Sequence, residues 1–174
     1  MEHITIQPIG TNEVVALQQI SQQTFFETFA SSNTEADMQQ YFDTNLTIEK
    51  LLAELNNPES FFFIAWEKEE PVAYLKLNIG RAQTELQNDA AALEIERIYV
   101  ANSHQGQKLG QLLYNKAVET ARELGKTYIW LGVWEENHKA IQFYLKNGFV
   151  AFDQHIFVVG ADEQTDMMMR KNID

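Results

Sequence analysis

The most constraining feature of the chain is a strand, a helix and a second strand that follow one another between residues 92 and 134. Residues 92–100 (ALEIERIYV) alternate like a strand, residues 107–124 repeat apolar side chains at helical spacing, and residues 127–134 (TYIWLGVW) predict the second strand. Because the crossover in such a unit is right-handed, the two strands should lie parallel in one sheet. The fold class predicted from this unit is α/β.

Shorter patterns on both sides predict the rest of a single domain over residues 1–174, which is long enough to bury one core. Thr11 and Thr47 are expected to begin helices as N-caps. The expected strands are 3–8, 61–67, 72–77, 149–153 and 165–170, and the expected helices are 11–30, an interrupted segment 34–56, and 136–147.

Composition excludes several kinds of chemistry. The chain has no cysteine, which removes disulfides, thiolate nucleophiles and cysteine-ligated metals, and its four histidines show no metal-ligand spacing. We expect no metal. The N-terminal residues lack a secretory pattern and no apolar run is long enough to span a bilayer, so we expect a cytoplasmic protein that does not contact a membrane.

The charge is unevenly distributed. The net charge of −12 argues against nucleic acid as a partner, because such binding depends on clustered lysine and arginine. Residues 1–100 carry 16 acidic and 5 basic side chains, whereas residues 101–174 carry 9 and 8. The first half therefore favours a cationic small-molecule partner, and the second half tolerates an anion better. The alternative is that the acidic surface only maintains solubility.

The loop that enters the central helix, within SHQGQKLGQLLYNKA (residues 103–117), is a candidate anion site. A helix N-terminus presents unpaired N–H groups and the positive end of the helix dipole, and Gly106 and Gly110 would let the backbone approach a phosphate closely. The loop lacks the G-K-[ST] of a P-loop and the G-x-G-x-x-G of a dinucleotide site. Two glycines before a helix are more often just a turn, so this loop alone is a weak signal.

A second candidate is the helix that follows residue 136. Asn137, Ala140, Ile141 and Tyr144 are spaced to share one helix face, with a polar group at each end of an apolar stripe. Asn137 could instead cap the helix, and Tyr144 could be a core tyrosine.

Together these motifs resemble the GCN5-related N-acetyltransferase (GNAT) superfamily. The resemblance is carried, in the family's order, by Ile98-Tyr-Val100, by Gln105-Gly-Gln-Lys-Leu-Gly110, and by Asn137-x-x-Ala140 with Phe143-Tyr144 and Asn147-Gly-Phe149. The wider stretches TFFETFA, PVAYLKLNIG, LEIERIYV, IWLGVWEEN and ADEQTDMMM resemble the PaiA-type spermidine/spermine acetyltransferases.

The resemblance implies a mixed central sheet of about six to seven strands, about four flanking helices and a splayed pair of parallel strands. It implies acetyl-CoA as cosubstrate, with the pantetheine arm on the backbone of residues 98–100, the pyrophosphate in the loop, and Asn137 on the cofactor amides. Tyr144 would protonate the leaving thiolate as a catalytic acid. The expected cofactor-binding residues are Ile98, Tyr99, Val100, Gln105, Gly106, Gln107, Lys108, Leu109, Gly110, Gln111 and Asn137.

Lys108 departs from the family's loop, which usually has its first glycine there. A side chain at this position must adopt the dihedral angles that the loop requires, which could strain the loop and weaken cofactor binding. A lysine beside phosphates could also add a favourable charge.

Two glutamates are candidates to help deprotonate the amine, because an alkylammonium cannot attack a thioester. In a regular strand, Glu94 and Glu96 would share a face with Ile98 and Val100 and point toward the cofactor. They could instead be exposed or paired with Arg97 or Arg81, and a bulge, which the family often has in this strand, would break the parity on which the choice between them depends. Glu27 and Trp134 are further candidates, as contacts to the acceptor, and His155 is expected to be structural.

The resulting hypothesis is an acetyl-CoA-dependent N-acetyltransferase acting on a primary amine, with a polyamine favoured over a protein N-terminus or an aminoglycoside. The alternatives are a CoA-binding regulator without turnover and a protein-interaction domain that has kept only the fold. The sequence leaves a homodimer open.

Overall fold

The computed structural model of the protein describes residues 3–173 and is organised around one seven-stranded sheet. The strand order is β1-β2-β3-β4-β5-β7-β6. Every pair is antiparallel except β4 with β5, which is parallel as the sequence predicts. The strands are β1 Ile4–Pro8, β2 Ser60–Glu67, β3 Glu70–Asn78, β4 Ala92–Val100, β5 Tyr128–Trp134, β6 Val150–Val159 and β7 Asp162–Asn172.

Five α-helices lie within residues 3–173, one more than the approximate number that the resemblance implies. The segment expected at 34–56 is two helices, because Thr47 caps the second of them by accepting a hydrogen bond from Lys50 N at 3.1 Å. The helices are α1 Val14–Phe29, α2 Glu35–Asn45, α3 Ile48–Leu55, α4 Leu109–Glu123 and α5 His138–Lys146. None of them combines the length and apolar character needed to cross a bilayer.

The helices cover both faces of the sheet and bury a core on each. On one face, α4 and α5 pack against the central strands, with buried side chains such as Leu113 and Tyr144. On the other face, α1, α2 and α3 form a second core that includes Leu17, Met38 and Leu51. The sheet is therefore the middle layer of three, which is how a mixed sheet with a parallel pair buries both faces.

Two boundaries differ from the sequence prediction. Thr11 does not cap α1, because residues 11–13 form a 3-10 turn in which the Glu13 carboxylate accepts a hydrogen bond from Gly10 N at 2.9 Å. The last two strands run beyond the predicted 149–153 and 165–170. They pair with each other from Val150–Arg170 to Val159–Asp162, and this long hairpin orders residues that local patterns left unassigned.

Candidate active site

The site is a cleft where the two parallel strands separate. Pairing between β4 and β5 runs from Ala92–Tyr128 to Ile95–Leu131 and then stops. Beyond that point β4 stays paired with β3 as far as Val100, and β5 stays paired with β7 as far as Trp134. The edges that β4 and β5 would otherwise share open into a cleft of about 800 Å³, a size typical of a small-molecule or cofactor site.

One end of the cleft is the loop that enters α4, where the sequence predicts an anion site. The first helical hydrogen bond of α4 runs from Leu112 N to Lys108 O, so the amides of residues 109–111 have no carbonyl partner within the helix. Gly106 has φ of 80° and a Cβ built there would meet no atom within 4 Å. Unpaired amides and the helix dipole make this end of the cleft suited to a phosphate.

Lys108 adopts the left-handed conformation, with φ of 62° and ψ of 16°. A side chain in this region costs about 1–2 kcal/mol relative to the right-handed one, a cost that glycine largely avoids. The chain accepts the strain where the family's loop has glycine, and it gains a lysine that lines the cleft.

Charge divides the cleft into two sides. The α4 and α5 side carries His104, Lys108, Lys139 and Lys146, all of them basic. The opposite side, next to α1, carries the carboxylates Glu96 and Asp166 together with aromatic side chains. These aromatics are Phe29, Tyr99, Trp134 and Phe157.

A bridge of two hydrogen bonds crosses the basic side. Gln105 donates from Nε2 to Val100 O at 3.2 Å, and Lys139 donates from Nζ to Gln105 Oε1 at 3.1 Å. The bridge links the end of β4 to α5 across the basic side of the cleft.

Tyr144 lies on α5, is 6% exposed and lines the cleft. Its ring packs edge to face against Phe149, with centroids 5.5 Å apart. Burial raises the pKa of the Tyr144 hydroxyl, because removal from water disfavours the phenolate. The hydroxyl therefore keeps its proton at neutral pH and can donate it to a stronger base in the cleft.

Asn137 and Trp134 also line the cleft. Asn137 is the N-cap of α5, and its Oδ1 accepts a hydrogen bond from Ala140 N at 3.2 Å. Its Nδ2 group is the part that can donate to a ligand, so capping and ligand binding are compatible. Trp134 packs against Phe29 with ring centroids 5.4 Å apart, and this pair forms part of the aromatic wall.

The two candidate glutamates do not share a face with Ile98 and Val100, so that prediction was wrong. A bulge in β4 pairs Arg97 with Lys76 and Ile95 with Leu77, which leaves Glu96 as the extra residue. Ile95, Ile98 and Val100 pack toward the α4 side. The carboxylates therefore project to the opposite face.

Glu94 is 2% exposed and does not line the cleft. Its carboxylate accepts hydrogen bonds from Asn78 Nδ2 at 3.0 Å and from Thr84 N at 2.8 Å. Burial nevertheless raises the pKa of Glu94. The nearby charge of Glu96 raises it further, whereas the hydrogen bonds from Asn78 and Thr84 lower it.

Glu96 lines the cleft and belongs to a buried group of four charges. It contacts Lys76 at 2.8 Å and Arg97 at 3.1 Å, and both cations also contact Glu54 on α3. Burial alone would raise the pKa of Glu96, but Arg97 and Lys76 hold it at about 2. This carboxylate is therefore ionised at any physiological pH and is too weak a base to keep a proton.

Three predicted site residues do not line the cleft: Glu94, as described above, Glu27 and Gln107. Glu27 lies on α1, and its Oε1 accepts a hydrogen bond from Asn102 N at 2.9 Å, which ties α1 to the loop after β4. The other predicted cofactor residues, namely Ile98, Tyr99, Val100, Gln105, Gly106, Lys108, Leu109, Gly110, Gln111 and Asn137, all line it.

Asp166 is a cleft residue that the sequence analysis missed. It lies on β7 opposite Trp134, and His155, which was expected to be structural, pairs with it across the β6–β7 hairpin. Within the predicted strand 165–170, Asp166 is one polar residue among methionines, and nothing in that pattern distinguishes it. Among residues 3–173, no group of three or more His, Asp or Glu side chains has an arrangement suited to a metal.

Comparison with known proteins assigns the family. Residues 15–149 match the sequence model described as the Acetyltransferase (GNAT) family. The chain is 38% identical over 171 residues to an uncharacterised N-acetyltransferase in the pepI 3′ region of Lactobacillus delbrueckii subsp. lactis, with 98% of each chain covered.

Solved structures share the fold. The crystal structure of PaiA N-acetyltransferase from Thermoplasma acidophilum, in complex with coenzyme A, superposes with a TM-score of 0.80 and 22% identity, covering 98% of this chain and 99% of that one. The structure of yncA from Salmonella typhimurium with its cofactor acetyl-CoA gives a TM-score of 0.74 and 20% identity, covering 98% of this chain and 94% of that one. With its splayed parallel strands and the matched sequence, the chain belongs to the GNAT family of N-acetyltransferases.

Proposed function

We propose that this acetyl-CoA-dependent N-acetyltransferase acts on the primary amine of an aliphatic polycation, with spermidine or spermine as the favoured acceptor. The observation that supports this choice is the division of the cleft, with lysines on one side and Glu96, Asp166 and an aromatic wall on the other. An anionic cosubstrate suits the basic side. A cationic amine with a methylene chain suits the acidic, aromatic side.

The basic side has the groups that a CoA pyrophosphate and pantetheine arm need. The amides of residues 109–111 precede the first helical bond of α4, and Lys108 and Lys139 supply cations that also line the cleft. The β5-facing backbone of residues 98–100 has no strand partner from β5, so it can bind an extended arm. When bound, acetyl-CoA supplies an acetyl group already activated as a thioester.

The acceptor side combines a negative charge with apolar aromatic surface, which suits a cation on a methylene chain. Glu96 stays ionised, because its pKa is held at about 2. The rings of Phe29, Trp134 and Phe157 offer π-faces to an ammonium group and apolar surface to its methylenes. We assign Trp134 to acceptor binding and Glu96 to charge attraction rather than to proton removal.

Tyr144 is the acid we assign to the leaving sulfur. Its raised pKa keeps the proton on the hydroxyl until a thiolate forms beside it, and the buried site strengthens that thiolate as a base. The Asn137 Nδ2 group and the β5-facing edge of residues 98–100 would hold the cosubstrate so that its carbonyl faces the acceptor side.

The test is thiol release from acetyl-CoA with a panel of amines, with products identified by mass spectrometry. Spermidine and spermine should give the highest kcat/KM, above an N-terminal peptide and an aminoglycoside. Inertness toward both polyamines combined with turnover of the peptide or the aminoglycoside would overturn the polyamine assignment. CoA binding without turnover of any amine would favour the regulator instead.

A further inference from the structure

Asp166 is a buried carboxylate at the acceptor side of the cleft with one oxygen unused. The side chain is 13% exposed, and Oδ1 is buried without a hydrogen-bond partner among residues 3–173. Burial raises its pKa, which the nearby His155 partly offsets. An unsatisfied acceptor in a cleft is costly unless a ligand donates to it, so an incoming ammonium N–H would complete this site.

Asp166 is the inner end of a chain of three titratable side chains. Its Oδ2 lies 3.4 Å from His155 Nε2, and His155 Nδ1 lies 3.3 Å from Glu85 Oε1. The exposed fraction of the three side chains rises from 13% for Asp166 to 22% for His155 and 41% for Glu85. The three side chains therefore lead from the cleft toward solvent. The step from His155 to Glu85 is not a hydrogen bond in this structure, because His155 Nδ1 has no hydrogen-bond partner among residues 3–173, so a small side-chain movement must close it.

A glycine in β5 makes room for this pair. A Cβ at Gly132 would lie 3.1 Å from His155 Cε1 and 3.3 Å from Asp166 Oδ2. Glycine inside a strand costs roughly 0.5–1 kcal/mol and commonly marks a close approach. The imidazole and the carboxylate occupy the space that any other residue would fill.

We propose that Asp166 is the general base that takes the proton from the acceptor amine, and that His155 and Glu85 form the relay that delivers it to solvent. The other titratable groups near the acceptor side of the cleft are Glu96 and Tyr99 on β4 and Tyr144 on α5, whereas His104, Lys108, Lys139 and Lys146 line its basic side. Glu96 stays ionised beside Lys76 and Arg97, and both tyrosines hold their protons because burial raises their pKa. Asp166 is the carboxylate of this group whose affinity for a proton is raised.

The protons balance as follows. The ammonium acceptor gives one proton to Asp166, and its neutral nitrogen then forms the C–N bond while the C–S bond breaks. Asp166 then releases this proton to solvent along the side chains of His155 and Glu85. Tyr144 protonates the sulfur and recovers a proton from the nitrogen as the amide forms. The net products are the acetylated amine, the thiol and one proton.

The inference rests on acetyl transfer to an amine, and it does not require that the amine be a polyamine. The first test is therefore independent of the acceptor: titration of the Asp166 carboxyl by carbon-13 NMR, with CoA bound. We expect its pKa to lie above the usual range for aspartate and to rise further in His155→Gln, because the imidazole lowers it. An ordinary value, or one that His155→Gln does not move, overturns the proposal.

The second test is kinetic, with whichever amine of the panel is turned over fastest. Asp166→Asn should lower kcat by at least about 100-fold, the range for loss of a general base. In His155→Gln the acidic limb of the kcat/KM profile should move to higher pH together with the NMR pKa, and Glu85→Gln should lower kcat less than Asp166→Asn does. Asp153→Asn, an exposed carboxylate on the same hairpin, is the control and should match the wild type.

Structural damage has a different signature. Asp166→Asn removes a buried charge with an unsatisfied oxygen, so its melting temperature should be at least that of the wild type, and its CoA affinity should be unchanged. Formate should restore part of the activity of Asp166→Ala. Wild-type kcat in Asp166→Asn, or a loss of kcat that follows a loss of CoA binding, overturns the assignment of the base.

Discussion

Replacing Glu96 by glutamine tests the electrostatics of the cleft wall most directly. Glu96 contacts Lys76 and Arg97, and Glu54 is the only other carboxylate that the structure pairs with them within residues 3–173. Glu96→Gln keeps the size of the side chain and removes one charge, which leaves two buried cations opposite a single carboxylate. Breaking a buried ion group in this way typically costs about 3–5 kcal/mol.

The pKa of Glu96 provides a second estimate of the same cost. A carboxyl whose pKa is lowered from 4.5 to about 2 by folding contributes about 3 kcal/mol to the free energy of unfolding at neutral pH. Because the folded pKa is the lower one, this contribution is complete above pH 4.5 and is lost as the pH falls through 4.5 toward 2. At neutral pH, a loss of about 3 kcal/mol lowers the melting temperature by roughly 6–12 °C for a chain of this size.

Urea unfolding of wild type and Glu96→Gln, followed by circular dichroism from pH 7 to pH 3, measures this difference. We expect the gap between the two proteins to narrow steadily below pH 4.5. Glu94→Gln is the matched control, because burial raises rather than lowers the pKa of Glu94, and its removal should cost less at pH 7. If Glu96→Gln is equally destabilising at pH 7 and pH 3, the ion group does not lower the Glu96 pKa and the reasoning fails.

Three further predictions concern the cleft. Tyr144→Phe should lower kcat by roughly 100-fold or more while CoA affinity is retained. The control is Tyr114→Phe, which should retain activity because Tyr114 also packs on Phe149 but does not line the cleft. Equal losses of kcat in the two variants would contradict the role of Tyr144 as the acid. Lys108→Gly should raise the melting temperature, because glycine relieves the strain of the left-handed conformation, and it should weaken CoA binding. Lys108→Ala should weaken CoA binding without raising the melting temperature. Scanning and titration calorimetry measure the two quantities. Lys139→Gln should slow CoA association about two- to threefold at low salt in stopped-flow experiments, and high salt should abolish this difference. Lys126 lies outside the cleft, so an equal slowing in Lys126→Gln would show that the effect does not come from the charge of Lys139 in the cleft.

The fold was predictable where local patterns carry the information. The unit spanning residues 92–134 was predicted with its parallel strands, and β4 has the predicted bounds. The caps at Thr47 and Asn137 follow from local chemistry. The extended hairpin of β6 and β7 was not predicted, because its outer half is ordered by the pairing of the two strands with each other.

The candidate site was predictable in its loop and helix and less so in its strands. Family resemblance identified the loop residues and Tyr144 as candidates, and all of these except Gln107 line the cleft. The predicted orientation of Glu94 and Glu96 was wrong because the alternation of side chains holds only in a regular strand. One extra residue in β4 reverses the alternation between these glutamates and Ile98. Asp166 was missed because its surroundings come from β5 and β6, and a sequence pattern shows only neighbours along one strand.

The short parallel pairing described above also has a mechanical consequence. Strands β1 to β4 form one part of the sheet and strands β5 to β7 form the other. Within residues 3–173, the strand pairing between the two parts is limited to the four pairs from Ala92–Tyr128 to Ile95–Leu131. A cosubstrate bound along residues 98–100 would contact both parts of the sheet beyond the last β4–β5 pair and would hold them together. Binding of the cosubstrate should therefore slow amide hydrogen exchange in β4 and in β5, and release of the product should require these two strands to move apart.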